Sequence, residues 1–247
     1  MNSKLTSDGL PEKLWYAFKG RPYNGNALSF YNSNSFEWAL ELEENIPVIK
    51  KEILKFLEKN ESGFVPYFNS ELTSDNDSWK TISFKFWGQN LSIYDQVPIT
   101  KEFLTKVPNL TSVGLSKIGA GKEIRPHSGD SNAIIRCHLP IKIPVGLPDC
   151  GIEVKGEKMP WPEGKLVMFC DAQEHSAFNF SNEDRIVLIF DFLRTDFQQK
   201  EKRILANVTG ELWLQNRKSG NKLISKMPRF FQGFIRYCVV LKLQLFN

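Results

Sequence analysis

The chain has 247 residues, of which 41% are hydrophobic and 24% are charged. This composition supports one domain with a sizeable core and excludes a disordered chain, which would lack the aromatic residues that make up 13% of this sequence. The net charge is +4, but from residue 197 onward ten Lys or Arg residues stand against two acidic ones. The uneven charge predicts two segments with different roles, an acidic body over residues 1–196 and a basic extension over 197–247.

The cysteines and the N-terminal residues indicate the cellular compartment. No two of the four cysteines form a C-x-x-C pair, so a zinc site is not expected. Residues 1–14 contain no apolar run typical of a signal peptide. We therefore predict a cytoplasmic protein with free thiols at Cys137, Cys150, Cys170 and Cys238.

The first 109 residues read as mainly helical. Apolar residues recur every three or four positions over 36–59, which predicts an amphipathic helix with Ser35 as its N-cap and a kink or new start at Pro47. A second, short helix is predicted over 98–107. Between them, residues 79–87 alternate like a strand, with Ile82, Phe84 and Phe86 on one face.

From residue 110 the pattern changes to short runs rich in β-branched and aromatic residues, separated by Gly, Pro, Asn or Asp. This pattern predicts strands in a β sandwich or barrel. The runs cover residues 111–118, 133–141, 150–154, 165–170 and 186–193.

The basic extension is predicted to be helical and ends in an unusual segment, residues 228–247. This segment is rich in Phe, Leu and Val but is interrupted by Arg229, Arg236 and Lys242, so it is a poor membrane span. Three alternatives stay open: it lies on a membrane surface, packs on the body, or packs on a second subunit. No nucleic-acid-binding module accompanies the basic residues, so no nucleic-acid partner is expected.

The three histidines, His127, His138 and His175, all fall in the β-rich region. Neutral imidazole is a common ligand for iron, and non-haem iron oxygenases use two His and one carboxylate, the first pair usually as H-x-D. Here Gly129 takes the place of the Asp, and Asp130 comes one residue later, where strand geometry points it to the opposite face. Whether Asp130 contributes to a metal site stays open.

Several motifs occur in a fixed order over residues 116–195. The motifs are Arg125-Pro126-His127-Ser128-Gly129, Arg136-Cys137-His138, Trp161, Phe169-Cys170-Asp171, Glu174-His175, Arg185 and Asp191. Together they resemble the aspartyl/asparaginyl β-hydroxylase family of Fe(II)- and 2-oxoglutarate-dependent oxygenases. The resemblance implies a mainly β fold, a double-stranded β-helix (jelly-roll, cupin-like) over 110–195, with N-terminal helices before it and a C-terminal helical extension after it.

The resemblance also implies roles for individual residues. His127 and His175 would be the iron ligands, with water in place of the carboxylate, because animal members of the family carry glycine at the position of Gly129. Arg185 would bind the distal carboxylate of 2-oxoglutarate, and a lone Arg beside the apolar run 186–189 is costly unless it is paired. Further cosubstrate contacts would come from Ser116, Arg136 and His138, with Trp87 in the pocket wall and Asp171 and Glu174 supporting the ligands.

The implied activity is that of a dioxygenase using Fe(II), 2-oxoglutarate and O₂. The expected reaction is hydroxylation of an unactivated carbon, the β-carbon of an Asp or Asn residue or amino acid. The alternatives are hydroxylation of a lipid acyl chain and a barrel that binds without catalysis. The expected partner is thus a peptide, an amino acid or a lipid, with a peripheral contact to the inner face of a membrane through 197–247 as one alternative.

Overall fold

The computed structural model describes residues 12–246, and all structural statements refer to this part of the chain. Its helices are α1 (Glu37–Glu44), α2 (Ile46–Asn60), α3 (Pro98–Thr105), α4 (Glu201–Gly220), α5 (Lys222–Lys226) and α6 (Arg229–Phe246). Its strands are β1 (Phe30–Tyr31), β2 (Val65–Pro66), β3 (Trp79–Phe86), β4 (Gln89–Asn90), β5 (Leu110–Ile118), β6 (Lys122–His127), β7 (Ile134–Lys142), β8 (Cys150–Val154), β9 (Glu157–Met159), β10 (Val167–Cys170), β11 (His175–Asn179) and β12 (Arg185–Leu193).

The strands form two antiparallel sheets. The large sheet has the order β1-β10-β7-β12-β5-β3-β2, with β4 paired to β3, and the small sheet has the order β6-β11-β8-β9. From β5 to β12 the chain passes repeatedly between the large sheet and the small sheet. This winding is a double-stranded β-helix, and the fold class predicted from the sequence is confirmed.

The N-terminal helices cover the outer face of the large sheet. Ile49 and Ile53 of α2 are fully buried in the same cluster as Leu188 and Phe190 of β12. Val187, from the opposite face of β12, packs instead in the cluster between the sheets. Because successive strand residues face opposite sides, alternate side chains of β12 point to the helices and into the barrel.

The helical region predicted over 36–59 is two helices that meet at Asn45, so the new start predicted at Pro47 is confirmed, with α2 beginning one residue earlier. The predicted N-cap was wrong, because Phe36, not Ser35, occupies the N-cap of α1. The Asn45 side chain donates to the carbonyl oxygen of Glu41, and Pro47 lacks the N–H that a continuous helix requires. Pro47 therefore lies in the first turn of α2, where that N–H is not needed.

In β3, Ile82 and Phe84 share the buried face, but Phe86, predicted to lie on the same face, is 41% exposed. The pairing with β5 shifts by one residue between Ser83 and Lys85. Such a β-bulge changes which face the following side chains point to, so Phe86 leaves the core.

The C-terminal extension packs on the body. Ile204 and Val208 of α4 are buried against Leu193 and Trp87. Helix α6 then packs on α4 at Gly210, where an added Cβ would lie 2.6 Å from a methyl carbon of Val240. No helix in the described part of the chain is long and apolar enough to cross a membrane.

Candidate metal and cosubstrate site

Two histidines meet at one end of the small sheet. His127 ends β6 and His175 begins β11, and the two residues are paired across the strands with ring centroids 4.2 Å apart. The Nδ1 atom of His127 lies 2.9 Å from the carbonyl oxygen of Arg125, and that of His175 lies 2.8 Å from the carbonyl oxygen of Gln173. These partners assign the proton to Nδ1 in both rings, which leaves each Nε2 with a free lone pair.

The environment keeps both rings neutral. Burial lowers the pKa of His127 and lowers that of His175 well below its usual value. A neutral imidazole whose Nδ1–H is held by a carbonyl is the form that ligates a metal. The tautomers and the charge state of the pair are therefore those that a metal ligand requires.

A carboxylate occupies the place where an H-x-D side chain would lie. A Cβ added to Gly129 would be 1.7 Å from Oδ2 of Asp171, so the Asp171 carboxylate fills that space. Its Oδ1 atom lies 3.7 Å from Nε2 of His175. Within residues 12–246 no group of three or more His, Cys, Asp or Glu side chains is arranged to hold a metal. The side chain of Glu174, the other proposed supporting residue, is exposed.

Arg136 holds Asp171 in place. Its Nη1 atom lies 2.5 Å from Oδ1 of Asp171, while Nε and Nη2 each donate to one carboxylate oxygen of Asp191 at 2.9 Å. Burial raises the pKa of Asp171 to about 7, and Arg136 opposes this shift. The guanidinium is thus occupied by two carboxylates, which makes Arg136 a positioning residue in the absence of cosubstrate.

The close fit at Gly129 leads to a stability prediction. Gly129→Ala should lower the free energy of unfolding by about 1–3 kcal/mol, because the new methyl group displaces the buried Asp171 carboxylate. Urea unfolding would measure the change. Gly146→Ala is the control, because an added Cβ there meets nothing within 4 Å. Equal stability of both variants would show that the space beside Gly129 is free.

Arg185 is a buried cation with no acidic partner among the described residues. Its side chain is among the largest that are fully buried, and the residue is 1% exposed. Nη1 donates to the carbonyl oxygen of Ser116 at 3.3 Å, the guanidinium lies 4.5 Å from the ring centroid of Trp161, and Nε has no partner. Burial lowers the pKa of this guanidinium. An uncompensated buried charge is costly, which indicates a site built for an anion.

Two more donors belong to the same region. Trp161 Nε1 donates to Nδ1 of His138 at 3.1 Å, so the His138 proton is on Nε2, an atom that is buried without a partner. Trp79 Nε1 donates to Oγ of Ser116 at 3.0 Å, which leaves the hydroxyl proton of Ser116 free to donate. Unused donors on Arg185 and His138 suit the oxygens of a carboxylate, and the nearby histidine pair suits a metal.

A cavity of about 320 Å³ borders this region, with Trp79 and Ser116 in its wall. Trp79 forms part of its wall and lies 6.0 Å from the His127 ring, between centroids. The wall also includes Trp87, the predicted pocket-wall residue, and Asp130, whose pKa burial raises to about 6. Trp79 and Trp161 received no site role from the sequence. Their indole N–H groups, which require partners when buried, were the available signal.

The fold and these groups define a double-stranded β-helix protein with a histidine pair and a buried, unpaired cation in its barrel. The profile of the family described as aspartyl/asparaginyl beta-hydroxylase matches residues 43–195. The chain belongs to this hydroxylase family, and the resemblance predicted from the sequence motifs is confirmed.

Two individual relatives differ in the substrate that their names give. An ornithine lipid ester-linked acyl 2-hydroxylase of Rhizobium tropici is 32% identical over 73% of this chain and 64% of its own length. The human aspartyl/asparaginyl beta-hydroxylase is 28% identical over 80% of this chain and 25% of its own length. This chain therefore spans less than two thirds of either relative. Among solved structures, a prolyl-4-hydroxylase of Pseudomonas putida aligns with a TM-score of 0.41 and 14% identity, over 61% of this chain and 87% of that one.

Proposed function

We propose that this protein is an Fe(II)- and 2-oxoglutarate-dependent dioxygenase that hydroxylates an unactivated carbon. The observation that carries the proposal is the buried Arg185, which has an unused Nε and no acidic partner among the described residues, as a site for a carboxylate ligand requires. The neighbouring donor His138 and the metal-ligand candidate His175 both contact the ring of Phe169, at 5.2 and 5.0 Å between centroids. Bound iron, with 2-oxoglutarate and O₂, would supply the oxidising chemistry.

The chain's own residues would bind and orient the metal and the cosubstrate, and they would exclude water. His127 and His175 would hold the metal through Nε2, and the Asp171 carboxylate, 3.7 Å from Nε2 of His175, would lie beside it. Arg185, His138 and Ser116 would donate to the cosubstrate. The apolar walls around Trp79 and Trp161 would keep bulk water from these polar groups, which strengthens every charged contact between them.

For the substrate, the first candidate is an Asp or Asn residue or amino acid, hydroxylated at its β-carbon. The name of the family and that of the human relative support it. Asp130 and the Ser112 hydroxyl in the cavity wall provide polar groups that would orient such a substrate.

The second candidate is a lipid acyl chain. Two observations favour it: the Rhizobium relative, whose name gives an acyl chain as substrate, and the apolar character of the cavity mouth. Exposed Val65, Phe68 and Phe86 lie in the cavity wall together with Leu212 of α4. An acyl chain would bury this apolar surface, whereas a charged peptide would not.

Formation of succinate from 2-oxoglutarate tests the proposal without a substrate. We expect the anaerobically purified protein, given Fe(II) and then O₂, to produce succinate slowly, and to produce it faster with the true substrate. Asp- or Asn-containing peptides and phospholipid or aminolipid micelles would be added in parallel. Absence of succinate under all conditions, together with no stabilisation by metal and 2-oxoglutarate, would support a barrel without catalysis.

A further inference from the structure

The outer face of α6 carries an apolar stripe that no other part of the described chain covers. Phe230, Phe234, Tyr237 and Leu241 follow the spacing i, i+4, i+7 and i+11, so they align along one side of the helix. The first three are 79%, 58% and 55% exposed. Neighbouring apolar residues extend this surface. We call the whole set the C-terminal face: Leu223, Met227, Phe230, Phe231, Phe234, Tyr237 and Leu241.

Helix α6 is nevertheless anchored. Val240 is buried against Gly210 of α4, and Arg236 lies 3.7 Å from Glu211 and stacks on the Phe18 ring at 4.5 Å. These contacts use a different side of α6 from the stripe. The C-terminal face is therefore presented by a packed helix, and its exposure is not a result of fraying.

The charges around this face have a single sign. After Glu211 the chain contains seven Lys or Arg residues and no Asp or Glu. Lys226, Arg229 and Lys242 are exposed, and none of them forms an ion pair with a residue between 12 and 246. An exposed aromatic surface bordered by unpaired cations is complementary to an apolar layer beneath negative charge.

We propose that the C-terminal face binds the surface of an anionic lipid bilayer, with α6 lying in the plane of the interface. Aromatic side chains are favoured at the boundary between headgroups and acyl chains, and Lys and Arg beside them are attracted to anionic headgroups. A second copy of this chain fits less well, because it would bring another set of cations to the same surface. The inference concerns binding and is independent of the proposed dioxygenase activity.

Cosedimentation with vesicles tests this inference. The full chain should partition onto vesicles of equal parts phosphatidylcholine and phosphatidylglycerol, bind pure phosphatidylcholine much more weakly, and be released by high salt. Phe230→Ser with Phe234→Ser should reduce partitioning at least about 10-fold, because the variant loses two aromatic rings that the bilayer would bury. Lys226→Gln with Arg229→Gln should reduce it roughly 25-fold, about five-fold for each charge.

Matched variants outside the C-terminal face show whether the loss of any exposed ring or charge weakens vesicle binding. Phe180→Ser removes an aromatic ring that is 54% exposed but lies outside the C-terminal face. Lys51→Gln with Lys55→Gln removes two exposed positive charges from α2. These controls should bind vesicles like the original chain, and thermal unfolding should show that all variants fold. Equal binding to both vesicle types, or equal losses in test and control variants, would overturn the proposal. So would a dimer in sedimentation velocity that Phe230→Ser with Phe234→Ser converts to monomer, because the face would then bind a second copy.

Discussion

His175→Ala is expected to abolish tight metal binding. Removing one of two imidazoles leaves His127 as the sole protein nitrogen at the site, since no third ligating side chain is grouped with the pair in the described residues. We expect the affinity for Fe(II), or for Mn(II) as an inert substitute, to fall at least about 100-fold, the upper limit for loss of a contact that merely supports a ligand. Succinate formation should fall with it. Anaerobic calorimetric titration measures the affinity directly.

His138→Gln is the matched control for this substitution. His138 is also a buried histidine in the barrel, but its ring bonds to Trp161 and not to the pair. Its variant should keep the metal affinity and weaken 2-oxoglutarate binding. Because burial lowers the pKa of His127 and His175, the affinity for the metal in the original chain should hold as pH falls through about 6.5, the usual histidine value, and decline only at lower pH. Metal affinity unchanged in His175→Ala would remove this residue from the site.

Arg185→Met is expected to separate function from stability. Burial lowers the pKa of this guanidinium, so its protonated form opposes folding at neutral pH. Replacing the charge with an apolar side chain of similar length should leave the free energy of unfolding unchanged or raise it by about 1–4 kcal/mol. The same change should abolish stabilisation by 2-oxoglutarate, which in the original chain should reach about 2.7 kcal/mol at 100 times the dissociation constant. Denaturant unfolding with Mn(II), with and without 2-oxoglutarate, measures both effects.

Arg194→Met is the matched control, because Arg194 is equally buried but fully paired. It lies 2.6 Å from Oε2 of Glu12 and bonds to both carboxylate oxygens of Asp196. Its loss should cost about 3 kcal/mol, at the lower end for a broken buried pair because both partners keep some contact with water. A destabilised Arg185→Met that still responds to 2-oxoglutarate would show that Arg185 is structural.

Patterns that repeat along the chain predicted most of the fold. The runs over 111–118, 150–154 and 186–193 match β5, β8 and β12 closely, because alternating or continuous apolar residues are imposed locally by a buried strand. The two strands that begin or end at the metal-ligand candidates, β6 and β11, were missed. Charged residues dominate β6, and β11 (His175–Asn179) has polar residues at both ends, so neither carries a clear apolar pattern.

The sequence by itself determined the family, the jelly-roll class and the identity of the polar residues that converge, because these depend on residue types in order. Only the tertiary structure decided which of those residues have partners. Arg136 and Arg185 look alike in the sequence, yet within residues 12–246 two carboxylates hold Arg136 and none holds Arg185. Likewise, the Asp171 carboxylate occupies the space left by Gly129, 42 positions earlier in the chain. Such pairing joins strands that are distant in sequence. The burial and the hydrogen bonds of these side chains are therefore set by the folded barrel and not by local sequence.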